Sequence, residues 1–251
     1  MQTAISQALH LIYPPQCLSC DALVTSDFGL CGTCWRDTPF IAGLVCDKCG
    51  APLPGEAGAE AGAGPGAELA PEFCDDCLTV PRPWHQGRAA LLYRDNARKL
   101  VLALKHGDRQ DLARPAATWL ARTARPILTP DMLIAPVPLH WRRLLSRRFN
   151  QVALISTALA RELALDHCPD LLVRTRRTPS QEGRDRDTRF ANLAEALAPH
   201  PKRGARARGR HVLLVDDVMT SGATLSAAAE ACRSAGARAV SVLALARVVK
   251  D

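Results

Sequence analysis

Two adjacent carboxylates followed by a turn rich in hydroxyl groups form the part of the chain best suited to chemistry. Asp216 and Asp217 end the apolar run 212–215 and precede residues 220–224, which read Thr-Ser-Gly-Ala-Thr. Paired carboxylates at the carboxyl end of a buried strand suit ribose hydroxyls and Mg²⁺. Hydroxyls and backbone N–H groups, with a glycine that allows close approach, can surround a phosphate at a helix start. The pattern predicts a phosphate site.

Two other interpretations fit parts of this segment. An apolar run followed by two acids can be an ordinary strand, a helix cap and a helix start, and this suffices for Val-Asp-Asp alone. Response-regulator receivers also carry paired acids, but theirs close the first strand of a domain, whereas Asp216 lies late in this sequence. The complete turn at 220–224 favours the phosphate site, because such motifs need a strand before them and a helix after them.

The elements around the acidic pair predict a βαβ unit. After the turn, four residues share one helical face, Gly236 ends the helix, and residues 239–246 return as an apolar strand. The four residues of that face are Leu225, Ala228, Ala229 and Cys232.

Hydrophobic periodicity predicts further elements of a mostly parallel α/β sheet. The expected helices cover residues 95–105, 112–123, 150–163 and 187–197. The expected additional strands cover residues 132–137 and 171–174, and residues 202–210 are expected to form a basic loop. Strands that alternate with helices in this way are typical of parallel sheets.

Eight of the ten cysteines form four C-x-x-C pairs within the first 77 residues. Each pair presents two thiolates from one tight turn, and two such turns close a tetrahedral Zn²⁺ site, so two structural zinc ribbons are predicted. Sequential pairing is the simplest arrangement, and crossed pairing stays open. The expected ligand sets are Cys17, Cys20, Cys31 and Cys34 for one zinc and Cys46, Cys49, Cys74 and Cys77 for the other.

Other uses of these cysteines fit less well. A disulfide framework is disfavoured because no secretory signal is recognisable, a redox C-x-x-C normally occurs once, and iron remains an alternative metal. Cys168 and Cys232 lie outside the pattern and are expected to be ordinary buried thiols.

Composition and charge bound the function classes. The formal net charge of +7 hides an asymmetry: residues 1–87 carry three Lys/Arg and ten Asp/Glu, which leaves twenty-nine and fifteen in residues 88–251, so the two parts carry −7 and +14. A basic domain suits nucleic acid or polyphosphate ligands. No apolar run is long enough to span a membrane and no signal peptide is recognisable, so we expect a cytoplasmic protein.

The expected organisation is a zinc-binding module at residues 1–83 and an α/β domain at residues 87–251. A Gly/Ala/Pro/Glu-rich stretch at about residues 54–71 cannot bury a core, and it is expected to form a loop within the second ribbon.

Several motifs, taken in order, resemble the ComF/GntX family. Besides the four C-x-x-C pairs and the acidic-pair segment, the chain carries Pro-Val-Pro-Leu-His at 136–140, Arg-Phe-Asn-Gln at 148–151, Thr-Pro-Ser-Gln at 178–181 and Arg-Phe-Ala-Asn at 189–192. One departure is visible, because Arg148 stands where the family pattern has glycine. The resemblance implies a double zinc ribbon followed by a type I phosphoribosyltransferase domain, in proteins linked to competence and DNA uptake.

The resemblance also implies a ligand, phosphoribosyl pyrophosphate (PRPP), with Mg²⁺. Asp216 and Asp217 would bind the ribose hydroxyls directly or through Mg²⁺ and are the candidate catalytic residues, with Asp217 as the candidate general base. Pyrophosphate would meet the turn after the first strand, near Arg142 and Arg143. The remaining implied PRPP-binding residues are Val218, Met219, Thr220, Ser221, Gly222, Ala223, Thr224, Pro138, Leu139 and His140.

Several interpretations stay open at this stage. His140 is equally an ordinary surface histidine. Lys105 and residues 184–189 would either close over the ligand or form a solvated face. The whole protein is either a phosphoribosyltransferase or a non-catalytic competence protein that handles single-stranded DNA or senses PRPP, with competence machinery as a further partner. No acceptor substrate is indicated.

Overall fold

The structure is a computed structural model that describes residues 13–55, 70–106, 109–139, 149–175 and 196–249. Its helices are α1 (Gly32–Arg36), α2 (Asp75–Thr79), α3 (Asp95–His106), α4 (Ala113–Ala124), α5 (Gln151–Leu163) and α6 (Ala223–Ser234). Its strands are β1 (Gly87–Leu92), β2 (Leu133–Pro136), β3 (Asp166–His167), β4 (Leu172–Arg174), β5 (Leu197–Pro199), β6 (His211–Met219) and β7 (Ala239–Arg247).

Five strands form one parallel sheet in the order β1-β7-β6-β2-β3. The two longest strands, β6 and β7, lie beside each other at its centre, and β2 lies on the other side of β6. Their side chains are buried on both faces, which explains why their sequences are nearly continuous apolar runs. The predicted α/β class, a mostly parallel sheet preceded by cysteine-rich ribbons, is confirmed.

The sheet separates two hydrophobic cores. Because successive residues of a strand point to opposite faces, Val212 and Leu214 pack on the face covered by α6, while Leu213 and Val215 pack on the face covered by α3, α4 and α5. Cys46 and Cys49 belong to the α6 core, and Leu18 belongs to the other one. The two cysteine-rich segments therefore pack on different faces of the sheet.

The strand that carries the acidic pair is longer than predicted. We expected Asp216 and Asp217 to end it, but β6 continues through Val218 to Met219. The reason lies in the neighbouring strand, because β7 extends to Arg247 and supplies ladder partners as far as Met219. Both acids therefore lie inside a paired strand.

A second expectation was wrong for β4. Residues 171–174 were expected to join the parallel sheet, but β4 pairs antiparallel with β5 in a separate two-stranded sheet. Leu197 lies in β5, although the sequence predicted the end of a helix there. The rest of that expected helix, from residue 187, lies outside the described residues, as do residues 140–148 and most of the 54–71 stretch.

The other predicted elements agree within a few residues. Helix α5 begins one residue later than expected because Asn150 is its N-cap, where the side-chain oxygen accepts hydrogen bonds from the N–H groups of Val152 and Ala153. Helix α6 ends at Ser234, and Gly236 follows with a φ of +87°. Among the described helices, none combines the length and apolar character that crossing a membrane requires.

Candidate functional site

The eight C-x-x-C cysteines gather into two groups of four. Within each group the Sγ atoms all lie within 4.8 Å of one another, and Cys20–Cys31 and Cys49–Cys74 are each 3.6 Å apart. Tetrahedral coordination with Zn–S bonds of about 2.3 Å separates sulfurs by about 3.8 Å, so the donor sets fit zinc. The groups are Cys17/Cys20/Cys31/Cys34, called zinc site 1, and Cys46/Cys49/Cys74/Cys77, called zinc site 2. The structure groups the cysteines in the sequential order and not in the crossed one.

The remaining two cysteines are buried away from both groups. Burial raises the pKa of Cys232 to about 12, and burial also raises the pKa of Cys168. Both are therefore protonated, unreactive core thiols, as expected from the sequence.

The carboxylates of Asp216 and Asp217 point to opposite faces of the sheet, because they are neighbours within β6. Asp217 lies on the face covered by α3 and α5. The positive charge of Arg174, in β4, acts on Asp216 and lowers its pKa. The two are linked through the backbone, since the N–H of Asp217 donates to Oδ1 of Asp216 at 2.9 Å. The acids thus form a pair with distinct surroundings.

Asp217 is held on both of its oxygens. Lys105 Nζ, from α3, lies 3.0 Å from Oδ1, and Gln151 Nε2, from α5, donates to Oδ2 at 3.0 Å. The residue is only 8% exposed. A buried carboxylate paired with a cation and an amide is fixed in place, and each oxygen keeps a lone pair that can accept a further hydrogen bond.

Asp216 is only partly buried but is harder to ionise. Burial and then the neighbouring Asp217 carboxylate raise the pKa of Asp216 to about 7, although the Asp217 N–H and the charges of Lys105 and Arg174 act in the opposite direction. This carboxyl group therefore gains or loses its proton near neutral pH.

The hydroxyl turn connects β6 to α6. Thr220 is exposed, Ser221 and Thr224 are partly buried, and Ser221 Oγ accepts a hydrogen bond from the N–H of Ala223 at 3.4 Å. Gly222 is the N-cap of α6 with a φ of +82°. A glycine is needed because a Cβ here would lie 2.9 Å from Arg82 Nη1 and 3.2 Å from the Trp84 ring.

Two buried arginines donate hydrogen bonds to backbone carbonyl groups at the turn. Arg82 Nη1 donates to the carbonyl of Ser221 at 2.7 Å, and its guanidinium lies 5.5 Å from the centroid of Trp84. Arg247, in the last position of β7, donates from Nη1 to the carbonyls of Met219 and Thr220. These contacts give buried hydrogen-bond donors to the carbonyl oxygens of Met219, Thr220 and Ser221.

The described PRPP-binding candidates fall at one edge of the sheet. Pro138 and Leu139 follow β2, which pairs with β6, and both are partly buried. Val218 and Met219 are strand residues, and Met219 belongs to the core. His140, Arg142, Arg143 and residues 184–189 lie outside the described residues.

Sequence reasoning missed the residues that support the site. It named Gln151 only within a motif and placed Lys105 either over the ligand or on a solvated face. It gave Arg82 and Arg247 no role. Arg82 follows the last C-x-x-C pair, and Arg247 ends an apolar strand, where a charged residue is unusual. The charged residue at the end of the apolar strand was the sequence feature that could have pointed to Arg247.

Two protein-family models match separate parts of the chain. A family described as a double zinc ribbon domain matches residues 8–78, and one described as a phosphoribosyl transferase domain matches residues 153–250. The first match covers both cysteine groups, and the second covers the acidic pair, the turn and α6.

Similar proteins align with most of the chain. The DNA utilization protein YhgH of Escherichia coli strain K12 is 30% identical over 95% of this chain and all of its own, and Competence protein F of Haemophilus influenzae is 26% identical over 92% and 96%. A solved structure of glutamine PRPP amidotransferase from B. subtilis is 18% identical, with a TM-score of 0.38 over 57% of this chain and 30% of that one. On the full-length match to YhgH, the chain belongs to the ComF/GntX family.

Proposed function

We propose that this protein binds PRPP together with Mg²⁺ at the edge of the sheet formed by Asp216, Asp217 and the turn 220–224, in the service of DNA uptake or utilization. The observation that carries the proposal is that the partly buried Asp216 in β6 leads through the turn 220–224 to the start of α6, where the N-cap residue Gly222 has no side chain to cap the helix. In this arrangement Asp216 would contact the ribose hydroxyls of the ligand, and the N-terminus of α6 would contact its phosphate.

The two acids take different roles in this proposal. Asp217, fixed by Lys105 and Gln151, orients the ribose hydroxyls, and Asp216 supplies the more accessible carboxylate oxygens. Mg²⁺ fits this oxygen-rich pair and would neutralise pyrophosphate oxygens when it is bound. The turn 220–224 holds the 5′-phosphate, and Pro138, Leu139 and His140 belong to the pyrophosphate side.

If the bound ligand reacts, the chain contributes mainly by positioning. Departure of pyrophosphate leaves positive charge on the ribose ring, and carboxylates near the sugar stabilise that charge. Asp216, whose pKa is about 7, is better matched than the doubly held Asp217 to accept a proton from an acceptor. The arrangement therefore favours Asp216 for the general-base role that the sequence assigned to Asp217.

The ribbons have a structural role in the proposal. Zinc at both sites would fold segments that have little core of their own, and the division at about residue 83 separates them from the PRPP domain. A cytoplasmic location stays a prediction of the sequence.

Thermal unfolding with and without ligand tests the binding proposal. A ligand that binds only the folded state at about 100 times its Kd stabilises by about 2.7 kcal/mol, which gives a shift of several degrees in Tm. We expect PRPP to raise Tm when Mg²⁺ is added and to have much less effect without it. An unchanged Tm at millimolar PRPP and Mg²⁺ would contradict the binding proposal.

A second candidate function, contact with single-stranded DNA, is favoured by an aromatic cleft of about 420 Å³ between the first ribbon and α4. Trp35 is 50% exposed, Phe28 is 41% exposed, and the guanidinium of Arg114 lies 5.3 Å from the Phe28 ring centroid. The other residues that line the cleft are Asp27, Pro115, Thr118, Trp119 and Arg122. Aromatic faces that alternate with arginines suit stacked bases and phosphates.

Salt titration tests this second function. Binding of a single-stranded oligonucleotide is expected to weaken steeply as salt rises and to fall roughly tenfold in Trp35→Ala, because one stacked base contributes about 1–3 kcal/mol. Leu78→Ala is the matched control, since Leu78 is an exposed apolar residue on the second ribbon. Affinity that is independent of salt, or equal losses in both variants, would argue against the cleft as a DNA site.

A further inference from the structure

Two buried arginines lie between zinc site 2 and the phosphate turn. Arg82 is 9% exposed and Arg247 is 3% exposed. Each donates a hydrogen bond to a carbonyl of the turn, Arg82 to Ser221 and Arg247 to Thr220. Both guanidinium groups thus have one end fixed on the proposed phosphate site.

Both arginines also pack against the segments that carry zinc site 2. The Arg82 guanidinium lies 5.5 Å from the centroid of the Trp84 ring, and Trp84 Nε1 donates at 2.6 Å to the carbonyl of Lys48, which lies between the first two ligands of the site. Arg247 Nη2 lies 4.0 Å from Oδ2 of Asp76, which lies between the last two ligands. Each arginine is therefore connected to one C-x-x-C turn of the same metal site.

These two cations need counter-charges, because a buried charge without a partner is strongly destabilising. Among the described residues, the carboxylate paired with Arg247 is Asp76, whose Oδ2 lies 4.0 Å from Nη2. Arg82 Nε and Nη2 are buried and have no hydrogen-bond partner within the described part of the chain. The protein side chains alone leave this pair of charges poorly compensated.

Zinc bound at site 2 would supply the missing charge. Four thiolates around one Zn²⁺ carry a net charge of −2, which equals the charge of the two guanidinium groups with opposite sign. Thiolate sulfurs are also better acceptors than thiols for the orphaned donors of Arg82.

We propose that zinc site 2 is the counter-ion of Arg82 and Arg247, and that zinc occupancy at this site controls the shape of the phosphate turn through these two positioning residues. The inference deepens the proposed PRPP function by adding a regulation of the same turn. Zinc site 1 does not take part in this coupling. Leu18, which lies between two of its ligands, packs in the core on the other face of the sheet.

Hydrogen exchange of the turn amides tests the coupling without depending on PRPP. We expect deuterium uptake in a peptide covering residues 219–225 to rise at least tenfold in rate in Arg82→Met and in Cys74→Ser/Cys77→Ser. Arg88→Met is the matched control, since Arg88 pairs with Asp47 of the same ribbon at 2.6 Å. Cys31→Ser/Cys34→Ser is the control for zinc site 1. Exchange at the turn is expected to stay unchanged in both controls.

The outcomes separate this inference from the PRPP proposal. Turn exchange equal to wild type in Arg82→Met, with two zinc ions per chain retained, would overturn the coupling even if the cysteine variant failed to fold. Slower turn exchange in Arg82→Lys than in Arg82→Met would support the coupling, because an effect of lost packing alone would not depend on the charge of the side chain. Mg²⁺–PRPP affinity, measured in parallel, is expected to fall about tenfold in Arg82→Met. If wild type binds no PRPP, the exchange result still decides the coupling.

Discussion

The ammonium group of Lys105 lies 3.0 Å from Oδ1 of Asp217, so the acidic pair includes its own cation. The other acid, Asp216, has a pKa of about 7 and is only partly ionised at neutral pH. The pair therefore presents little net negative charge before ligand arrives. This matters because two uncompensated carboxylates would repel a phosphorylated ligand.

The pKa of Asp216 predicts a pH-dependent stability. Folding raises the pKa of Asp216 from 3.8 to about 7. The free energy of unfolding therefore falls as pH increases from about 4 to about 7, because the folded state holds this proton more tightly than the unfolded state and must release it. Asp216→Asn removes this cost and is expected to stabilise the protein at pH 8, by at most about 4 kcal/mol. Urea unfolding at pH 4 and pH 8 measures the difference, and an advantage that is equal at both pH values would contradict the assignment.

Replacing Lys105 should move the pH at which ligand binds. The charge of Lys105 lowers the pKa of Asp216, so Lys105→Met is expected to raise that pKa and to shift the midpoint of Mg²⁺–PRPP binding to higher pH. Titrating the affinity between pH 5.5 and 9 measures the shift. Lys99→Met is the control, because Lys99 is exposed on the same helix, and a shift of the same size there would discount the Lys105 contact.

Gln151 is expected to be critical for stability. It is fully buried, and Gln151→Leu leaves Oδ2 of Asp217 without its amide donor. Loss of a hydrogen bond to a charged group costs about 1.5–3 kcal/mol. Chemical denaturation is expected to show this loss, whereas Thr157→Ala, which removes a local bond to a helix carbonyl, should cost less than about 1 kcal/mol. Equal effects would argue against the coupling of Gln151 to Asp217.

Gly222→Ala tests the geometry of the turn. The left-handed φ of +82° costs a non-glycine residue about 1–2 kcal/mol, and the new methyl group would press on the Trp84 ring. Gly209→Ala is a matched control, since Gly209 has a φ of +68° but open space around a Cβ. Both variants should lose stability, but only Gly222→Ala should lose PRPP affinity. Unchanged affinity in Gly222→Ala would count against the turn as the phosphate site.

The sequence predicted the features whose residues are neighbours along the chain. The strand, the acidic pair, the turn and α6 form one uninterrupted segment, and each C-x-x-C pair spans four residues. The pairing of the cysteines followed from the simplest chain path. These local patterns were sufficient for the fold class and for the two groups of four cysteines.

Long-range pairing explains what the sequence did not predict. Arg82 and Ser221 are 139 positions apart, and Gln151 and Asp217 are 66 apart, so no local pattern joins them. The end of β6 is set by its ladder with β7, and the placement of β4 is set by its pairing with β5. Such partners become visible only when the chain is folded.

Titration calorimetry of the zinc-loaded protein with PRPP and Mg²⁺ tests the central claim most directly. We expect saturable binding at one site per chain in wild type, with at least a tenfold loss of affinity in Asp216→Asn/Asp217→Asn at unchanged zinc content. Absence of binding in wild type, or equal affinity in the double variant, would contradict the account.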